Sequence, residues 1–374
     1  MQADKNTSIF LKDKTRLGDF VKIQGGYAFQ SALFRKRGIP IIRISNIYGS
    51  TIDLKNSAVY YDDTKVIGDD FIAKKDDLLI AMSGATTGKC GVYPYQKCAY
   101  VNQRVGKFTL CKGDKAIYKY ITYWTQSNDF ERQLSRSLVA GAQPNISPKN
   151  IEDMELFLPD ITEQQNVVAV LDAISANITF LQHLISKQEN IKKSTINLLL
   201  APRSNWQEIK LGDICSITTG KLDANAMSPH GKYAFFTCAK EVYKINNYAF
   251  DTEALLVSGN GSHVGYVHYY KGRFNAYQRT YVLDKFTANI LFVKYFLDCK
   301  LSQRIDAEKK SGNTPYILRD TLYDMKLTIP VSITEQERIA TQLSEIDAHI
   351  ENLKQQLAKQ RAIKQGLMQF FFGD

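Results

Sequence analysis

The chain has 374 residues, a hydrophobic content of 44% and a net charge of +10 at pH 7. This composition is typical of a folded basic protein of two to three domains, and it excludes a disordered basic tail or a disulfide-stabilised mini-protein. The N-terminal residues lack the charged and apolar regions of a signal peptide, and no run approaches about 18 consecutive apolar residues. We therefore expect a cytoplasmic protein without a membrane span.

The cysteines form neither a C-x-x-C pair nor a His-containing pattern with the spacing of a zinc site. Free cysteine is commonly a packed, apolar side chain. We expect reduced, mostly buried thiols and no metal site. The six positions are Cys90, Cys98, Cys111, Cys215, Cys238 and Cys299.

Five short motifs occur twice in the same order, at offsets that narrow from 194 to about 172 residues. Collinear matches over the whole length indicate that the chain is an internal repeat, with a variable globular region and a constant segment in each half. The pairs are Leu17-Gly18-Asp19 and Leu211-Gly212-Asp213, Ser83-Gly84 and Ser258-Gly259, Gln103-Arg104 and Gln278-Arg279, Pro144-x-Ile146 and Pro315-x-Ile317, and Ile161-Thr162-Glu163-Gln164 and Ile333-Thr334-Glu335-Gln336.

The globular regions have a mixed α/β pattern. Short β-rich runs at 39–44, 77–82 and 93–105 predict strands, and the segments 116–138 and 290–309 predict helices.

A long helix is predicted at the end of each half. Thr162 and Thr334 are followed three residues later by Gln165 and Glu337, the capping-box pattern of a helix start. Apolar residues then alternate at spacings of four and three, which is the a/d pattern of a coiled coil. Each helix should run about 40 residues, or about 60 Å, and the two should pack on each other. The predicted seam residues are Leu171, Ile174, Ile178, Leu181 and Ile185 in the first copy, and Leu343, Ile346, Ile350, Leu353 and Leu357 in the second.

The positive charge lies in the globular regions. The predicted segments are a globular region 1–160, a helix 161–202, a second globular region 203–332 and a C-terminal helix 333–374. Residues 1–160 carry 23 basic and 17 acidic side chains and residues 203–332 carry 17 and 12, whereas the helices are nearly neutral. Two basic regions separated by a neutral rod favour a long anionic ligand, for which duplex DNA is the natural candidate.

Catalytic motifs are absent from the sequence. The segment Gly84 to Cys90 resembles a phosphate-binding loop but is one residue too short and ends in Cys where Ser or Thr would hold magnesium. The sequence has neither the Asn/Asp-Pro-Pro-aromatic tetrapeptide with which an amino-methyltransferase holds an exocyclic amine nor a G-x-G-x-x-G motif. Glu308-Lys309-Lys310 has no acidic partner that would complete a nuclease site. The spacing of His263 and His268 fits no metallohydrolase. We expect no catalytic residue and no metal ligand.

The ordered double set of motifs resembles the specificity subunit of Type I restriction-modification enzymes. The resemblance covers residues 16–374 and adds Asn102, Asn145-Ile146-Ser147 and Leu158-Pro159 to the repeated motifs in the first half. The second half departs from the pattern at Tyr316 and Leu318, so no polar role is transferred to those positions.

The resemblance implies an α+β fold with two mixed α/β target recognition domains in a pseudo-twofold arrangement, joined by two long antiparallel coiled-coil helices. It implies a non-catalytic, DNA-binding subunit that reads a bipartite asymmetric site in double-stranded DNA. Two methyltransferase subunits and two restriction/translocase subunits are the implied partners. S-adenosylmethionine, ATP and magnesium would belong to those partners, with no cofactor in this chain.

Two other functions remain open. The chain could be a non-catalytic coiled-coil scaffold whose basic domains bind another polyanion or a protein, and an unrecognised nuclease is a third alternative.

Base readout requires amide and guanidinium groups on loops that enter the major groove. The repeated Gln-Arg pairs suit phosphate contact or maintenance of the fold better than the reading of two different half-sites. The candidate DNA-binding residues are Arg43, Ser83, Thr86, Lys89, Gln103, Arg104, Gln143 and Asn145 in the first domain, and Ser258, Asn260, Ser262, His263, Gln278 and Arg279 in the second.

Overall fold

The computed structural model of the chain describes residues 14–55, 57–62, 67–113, 115–138, 144–308 and 316–373. The chain divides into two compact units. The first unit combines residues 1–180 with residues 357–374, and the second unit comprises residues 181–356. Each of the two long helices therefore contributes one part to each unit. The domain limits set from the sequence remain a prediction.

The first unit is built from short strands and three short helices. Its strands are β1 Thr15–Arg16, β2 Val21–Gly25, β3 Ile39–Ile42, β4 Ile47–Tyr48, β5 Thr51–Ile52, β6 Val59–Tyr61, β7 Ile72–Ala73, β8 Leu78–Ala81, β9 Cys90–Val92, β10 Ala99–Val101, β11 Val105–Leu110 and β12 Glu155–Leu156. Its helices are α1 Tyr118–Trp124, α2 Asn128–Ser137 and α3 Pro148–Glu152, followed by the start of the long helix α4 Ile161–Leu199.

Two main sheets organise the first unit. One has the order β6-β3-β10-β7 and the other the order β2-β11-β8-β9-β5-β4. Strand β8 is buried along its whole length, which explains its uninterrupted run of apolar residues. The helices cover one side of this sheet, where Phe20, Phe108 and Trp124 are at most 2% exposed in the main core.

The second unit contains a six-stranded sheet with the order β14-β19-β17-β18-β15-β16 and a separate pair of strands, β13-β20. Only β15 and β18 pair in parallel within the six-stranded sheet. The strands are β13 Trp206–Lys210, β14 Ser216–Thr219, β15 Tyr233–Phe236, β16 Tyr243–Ile245, β17 Phe250–Ser258, β18 Val267–Ala276, β19 Thr280–Asp284 and β20 Lys326–Pro330. The helices are α5 Leu211–Ile214, α6 Ile290–Glu308, α7 Arg319–Tyr323 and the start of α8 Ile333–Phe372.

The first and last strands of each globular region pair with each other. Strand β1 pairs antiparallel with β12, and β13 pairs antiparallel with β20. The repeated Leu-Gly-Asp motif follows directly: Leu17 N donates to Met154 O at 2.8 Å and Leu211 N donates to Met325 O at 2.9 Å. This closure places the end of each globular region at the start of a long helix.

Both long helices contribute to the core of each unit. In the first unit, Leu171 from the beginning of α4 shares a core with Met368 and Phe372 from the end of α8. In the second unit, Leu200, directly after α4, shares a core with Ile339 and Leu343 from the beginning of α8. Within each unit the start of one helix thus accompanies the end of the other, as an antiparallel pairing requires.

The helix caps differ from the predicted ones. Glu163 N donates to Asp160 Oδ1 at 2.9 Å, and Glu335 N donates to Ser332 Oγ at 3.4 Å. Asp160 and Ser332 therefore cap the helices, and Thr162 lies inside the first turn. The prediction that the threonines are the caps was wrong, because the sequence offers two acceptors two residues apart and the earlier one precedes the first helical residue.

Two predicted elements are interrupted. Segment 116–138 forms α1 and α2, because the Ser127 side chain accepts a hydrogen bond from Phe130 N and begins a new helix. Segment 93–105 contains β10 and only the first residue of β11, which are separated by Asn102 and the turn of Gln103 and Arg104.

In the described part of the chain, α4 meets the length and composition of a membrane-spanning helix, with a mean hydropathy of 1.5 over its most apolar 18 residues. The expectation based on consecutive apolar residues did not detect this. A single such helix is weak evidence for a span, since helices of other proteins pass the same test.

Candidate nucleic-acid interface

Three repeated motifs of the first unit meet through main-chain hydrogen bonds. Met82 N donates to Arg104 O at 2.9 Å, and Ile146 N donates to Met82 O at 2.9 Å. Gly84 N donates to Pro144 O at 3.2 Å. The Ser-Gly loop, the Gln-Arg turn and the Pro-x-Ile segment thus form one continuous surface feature, which we call the first motif junction (residues 82–84, 102–104 and 144–146).

The second unit joins the same three motifs, but the bonded residue of its Ser-Gly loop is Gly259, two positions beyond the equivalent of Met82. Gly259 N donates to Arg279 O at 2.9 Å, Ile317 N donates to Gly259 O at 2.8 Å, and Asn260 forms a bridge with Tyr316. We call residues 258–260, 277–279 and 316–317 the second motif junction. The main-chain bonds explain why these motifs recur in halves whose other loops differ.

A glycine allows each junction to pack against a neighbouring strand end. A Cβ atom on Gly26 would lie under 3.0 Å from Val101 O, and one on Gly220 would lie under 3.0 Å from Ala276 O. Backbone atoms cannot move aside to relieve the overlap with such a Cβ, as the end of a flexible side chain can. Gly26 and Gly220 are 194 residues apart, like the Leu-Gly-Asp motifs, and close packing next to the Gln-Arg turn requires a glycine at both positions.

The arginine and glutamine side chains of both turns point to solvent. Gln103, Arg104, Gln278 and Arg279 are all exposed, although their main chains are used by the fold. Within the described residues, neither arginine side chain has an ion-pair partner. Both guanidinium groups are available to bind an anion.

The other candidates of the first domain fall into two groups. Lys89 and Asn145 are exposed, and Asn145 pairs with the half-buried Ser83 at the junction. Arg43 Nη2 donates to Ser57 O at 2.8 Å and Thr86 Oγ1 donates to Ile44 O at 3.1 Å, so both groups are engaged within the domain. Gln143 lies outside the described residues.

Ser258 is the predicted contact that the structure contradicts. It is 0% exposed at the end of β17, opposite Thr280, which is also 0% exposed. A side chain enclosed between strands cannot reach DNA, and the Ser-Gly motif gave no indication of this because burial depends on the neighbouring strand. Ser262 is exposed, and Asn260 and His263 are half-buried beside it.

An exposed basic run was missed by the sequence analysis. Arg35, Lys36 and Arg37 lie together on the surface immediately before β3. Three consecutive basic residues before a glycine were a visible signal. Their placement makes them candidates for phosphate contact.

Burial controls the titration of nearby groups. It raises the pKa of the Cys90 thiol and lowers the pKa of His268, whose Nε2 lies 3.0 Å from Ala239 O. Burial also raises the pKa of Tyr281, whose hydroxyl donates to Ile317 O at 2.9 Å in the second motif junction. These groups keep their neutral forms near pH 7 and serve packing, so they do not resemble an acid-base pair. Across the described ranges, no cluster of His, Cys, Asp and Glu could hold a metal ion.

The predicted seam residues of the long helices are all at least partly shielded from solvent. Most are buried, and the remainder are half-buried. The buried ones are Leu171, Leu181, Ile185, Leu343, Ile350 and Leu353, and the half-buried ones are Ile174, Ile178, Ile346 and Leu357.

Three kinds of comparison relate the chain to known proteins. It is 39% identical over 153 residues to the EcoDI specificity subunit of Escherichia coli, covering 41% of this chain and 34% of that protein. It is 26% identical over 189 residues to the MjaVIII specificity subunit of Methanocaldococcus jannaschii, covering 50% and 44%. These matches span less than half of each relative's length.

Solved structures share the fold over nearly the whole chain. The S subunit of a Type I restriction-modification system from M. genitalium matches with a TM-score of 0.68 at 16% identity, covering 97% of this chain and 96% of that one. A chain from a study of assembly and conformational transition of the type I R-M system matches with a TM-score of 0.56 at 15% identity, covering 97% and 98%. The fold predicted from the motifs, with two mixed α/β domains joined by long helices, is confirmed.

A family model assigns both halves. The model described as the Type I restriction modification DNA specificity domain matches residues 12–190 and again residues 203–360. These two matches coincide with the two copies of the internal repeat. The chain therefore belongs to the family of Type I restriction-modification DNA specificity proteins.

Proposed function

We propose that this chain reads a bipartite, asymmetric site in double-stranded DNA as the specificity subunit of a Type I restriction-modification complex. The observation that carries the proposal is the pair of motif junctions. Each presents an exposed arginine, Arg104 or Arg279, that has no ion-pair partner among the described residues, in a turn joined to the same two other motifs, while the surrounding loops differ. Common arginines suit phosphate contact in both domains, and different loops suit the reading of two different half-sites.

The chain acts without a catalytic centre of its own. Its sequence holds no methyl-donor or nuclease motif, so chemistry would be performed by two methyltransferase subunits and two restriction/translocase subunits. S-adenosylmethionine, ATP and magnesium would be bound by those partners. Assembly with such subunits is supported by the fold shared with a chain from a study of type I complex assembly.

The decisive experiment compares the chain alone with the chain co-expressed with a methyltransferase subunit. Both samples are incubated with a random duplex library and S-adenosylmethionine, and methylated or retained molecules are sequenced. We expect enrichment of two short half-sites separated by a fixed gap, and methylation only in the presence of the partner. Absence of enrichment would favour the scaffold alternative, and metal-dependent cutting by the chain alone would favour a nuclease.

A second experiment tests the arginines of the junctions. If Arg104 and Arg279 bind phosphate, Arg104→Ala and Arg279→Ala should weaken binding to cognate and random duplex equally and lower the salt slope by about one unit each. If one of them reads a base, only cognate affinity should fall, by about 1 to 3 kcal/mol. Arg338→Ala, at an exposed position of α8, is the matched control. Unchanged binding by both junction variants would place these residues outside the interface.

A further inference from the structure

One tyrosine in each unit joins the globular domain to its long helix. Tyr123 of α1 donates to Asp172 Oδ1 of α4 at 2.6 Å. Tyr295 of α6 donates to Asp347 Oδ2 of α8 at 2.9 Å and lies 3.2 Å from Ser344 Oγ. The two tyrosines are 172 residues apart, which is the offset of the repeated helices, so they are equivalent positions.

A lysine from the other long helix completes each contact. Lys364 Nζ of α8 lies 5.5 Å from the centre of the Tyr123 ring. Lys192 Nζ of α4 lies 5.7 Å from the centre of the Tyr295 ring and 2.5 Å from Asp347 Oδ1. These lysines are again 172 residues apart. In each unit, therefore, three elements meet at one tyrosine: a domain helix, the long helix that follows that domain, and the other long helix. We call each such meeting point a tyrosine node.

Both nodes contain an aspartate carboxylate, but the aspartate and a nearby serine have exchanged positions between the two halves. The first unit has Asp172 and Ser175, whereas the equivalent positions of the second unit are Ser344 and Asp347. Residues three apart share one face of a helix. Either position can thus present the acceptor to the tyrosine, and what the two halves have in common is the hydroxyl-carboxylate contact.

The nodes lie in environments that strengthen directional contacts. Tyr123 is 6% exposed and Tyr295 is 3% exposed. Burial, with a further contribution from Asp172, raises the pKa of Tyr123 to about 12, so its hydroxyl remains a hydrogen-bond donor near neutral pH. In a partly desolvated site, charge-assisted hydrogen bonds and cation–π contacts are stronger than at the surface.

A second contact holds each domain nearer the start of its helix, eight residues before Asp172 in the first unit and 11 residues before Asp347 in the second. Gln164 Oε1 accepts from Ile117 N at 2.8 Å next to α1, and Gln336 Oε1 accepts from Asn289 N at 2.8 Å next to α6. These separations correspond to about 12 Å and about 16 Å along a helix. Two contacts separated by such distances restrain a domain helix against tilting, whereas one contact would act as a pivot.

We infer that Tyr123 and Tyr295 are positioning residues that fix the direction of each recognition domain on its helix and thereby the spacer length accepted between the half-sites. This inference rests on the proposed function. Adding one base pair moves a half-site by about 3.4 Å and rotates it by about 35°, given 10 to 10.5 pairs per turn of 34 to 36 Å. A domain with freedom to tilt would tolerate such a change, and a domain held at two points would not.

The test uses the complex with a co-expressed methyltransferase subunit and duplexes that keep both half-sites but carry the native spacer or a spacer one pair longer or shorter. For Tyr123→Phe combined with Tyr295→Phe, discrimination between native and altered spacers should fall by about tenfold, the size of a single mismatch effect. The selected half-site bases should stay the same. Tyr118→Phe is the matched control, because the Tyr118 hydroxyl accepts from Leu78 N and donates to Phe108 O, both inside the domain.

A second pair of variants separates positioning from general destabilisation. Asp172→Ser removes the acceptor of the first node, and Asp172→Ser combined with Ser175→Asp installs the arrangement of the second half. Spacer discrimination should fall in the single variant and return in the double one. Provided that the wild type selects a bipartite site, three results would overturn the inference. They are full spacer discrimination in the double tyrosine variant, an equal loss of discrimination in Tyr118→Phe, and no recovery of discrimination in Asp172→Ser combined with Ser175→Asp. A wild type that selects no bipartite site would overturn the proposed function, and the inference with it.

Discussion

Replacement of the buried Gln164 by Leu should destabilise the first unit. Gln164 is 0% exposed, accepts from Ile117 N, and donates to Pro159 O at 2.8 Å and to Lys115 O at 3.0 Å. Leucine fills a similar volume but makes none of these bonds. Lys115 is exposed, and water can replace its lost partner, so two groups remain unsatisfied. At about 1 to 3 kcal/mol for each such group, partly offset by added apolar burial, the free energy of unfolding should fall by about 2 to 4 kcal/mol.

The chain offers a selective assay and a matched control for this change. It contains two tryptophans, Trp124 in the core of the first unit and Trp206 in that of the second. In a Trp206→Phe background, tryptophan fluorescence during urea unfolding reports the first unit alone. Gln165→Leu makes the same chemical change at an exposed position and should alter stability by no more than about 0.5 kcal/mol. A loss below about 1 kcal/mol for Gln164→Leu, or one equal to that of the control, would refute the reasoning.

Three further expectations follow from packing and helix geometry. Gly26→Ala should destabilise the protein by about 1 to 3 kcal/mol, because the added Cβ would collide with strand backbone. Gly366→Ala, in α8 with no atom within 4 Å of the added Cβ, should stabilise it by about 0.5 to 1 kcal/mol. Thermal unfolding of the two variants tests both expectations. Four residues inserted after Leu184 in α4 and after Gln356 in α8 add about 6 Å of rise. The gap between the half-sites of the methylated motif should therefore widen by one or two base pairs, with unchanged half-site bases. An unchanged gap would show that the helices do not set the distance between the half-sites. Cys90, which is buried and has a raised pKa, should be the slowest of the six thiols to react with a disulfide reagent, and labelling at a rate equal to that of the exposed thiols would contradict its burial.

The sequence by itself determined the features that depend on local spacing. The alternation of apolar residues in 161–199 and 333–372 produces long helices because side chains three and four apart share one face. The paired motifs established the repeat, and the repeat indicated the family, because collinear order survives differences in the intervening loops. The exposure of Arg104 and Arg279 can also be predicted from the sequence, since each follows a polar residue in a turn between strands.

Only the tertiary structure decided which polar residues point inwards. Gln164 and Ser258 are completely buried, whereas the neighbouring Gln165 is exposed, and nothing in their local sequence separates these environments. The tyrosine nodes could not be found from spacing either, because Tyr123 meets Asp172 and Lys364 across 49 and 241 residues of chain. Such contacts are created when strands and helices from distant segments pack together. Local spacing fixes which face of an element a residue occupies, and the packed neighbour determines whether that face is a core, a hydrogen-bonded node or a surface open to DNA.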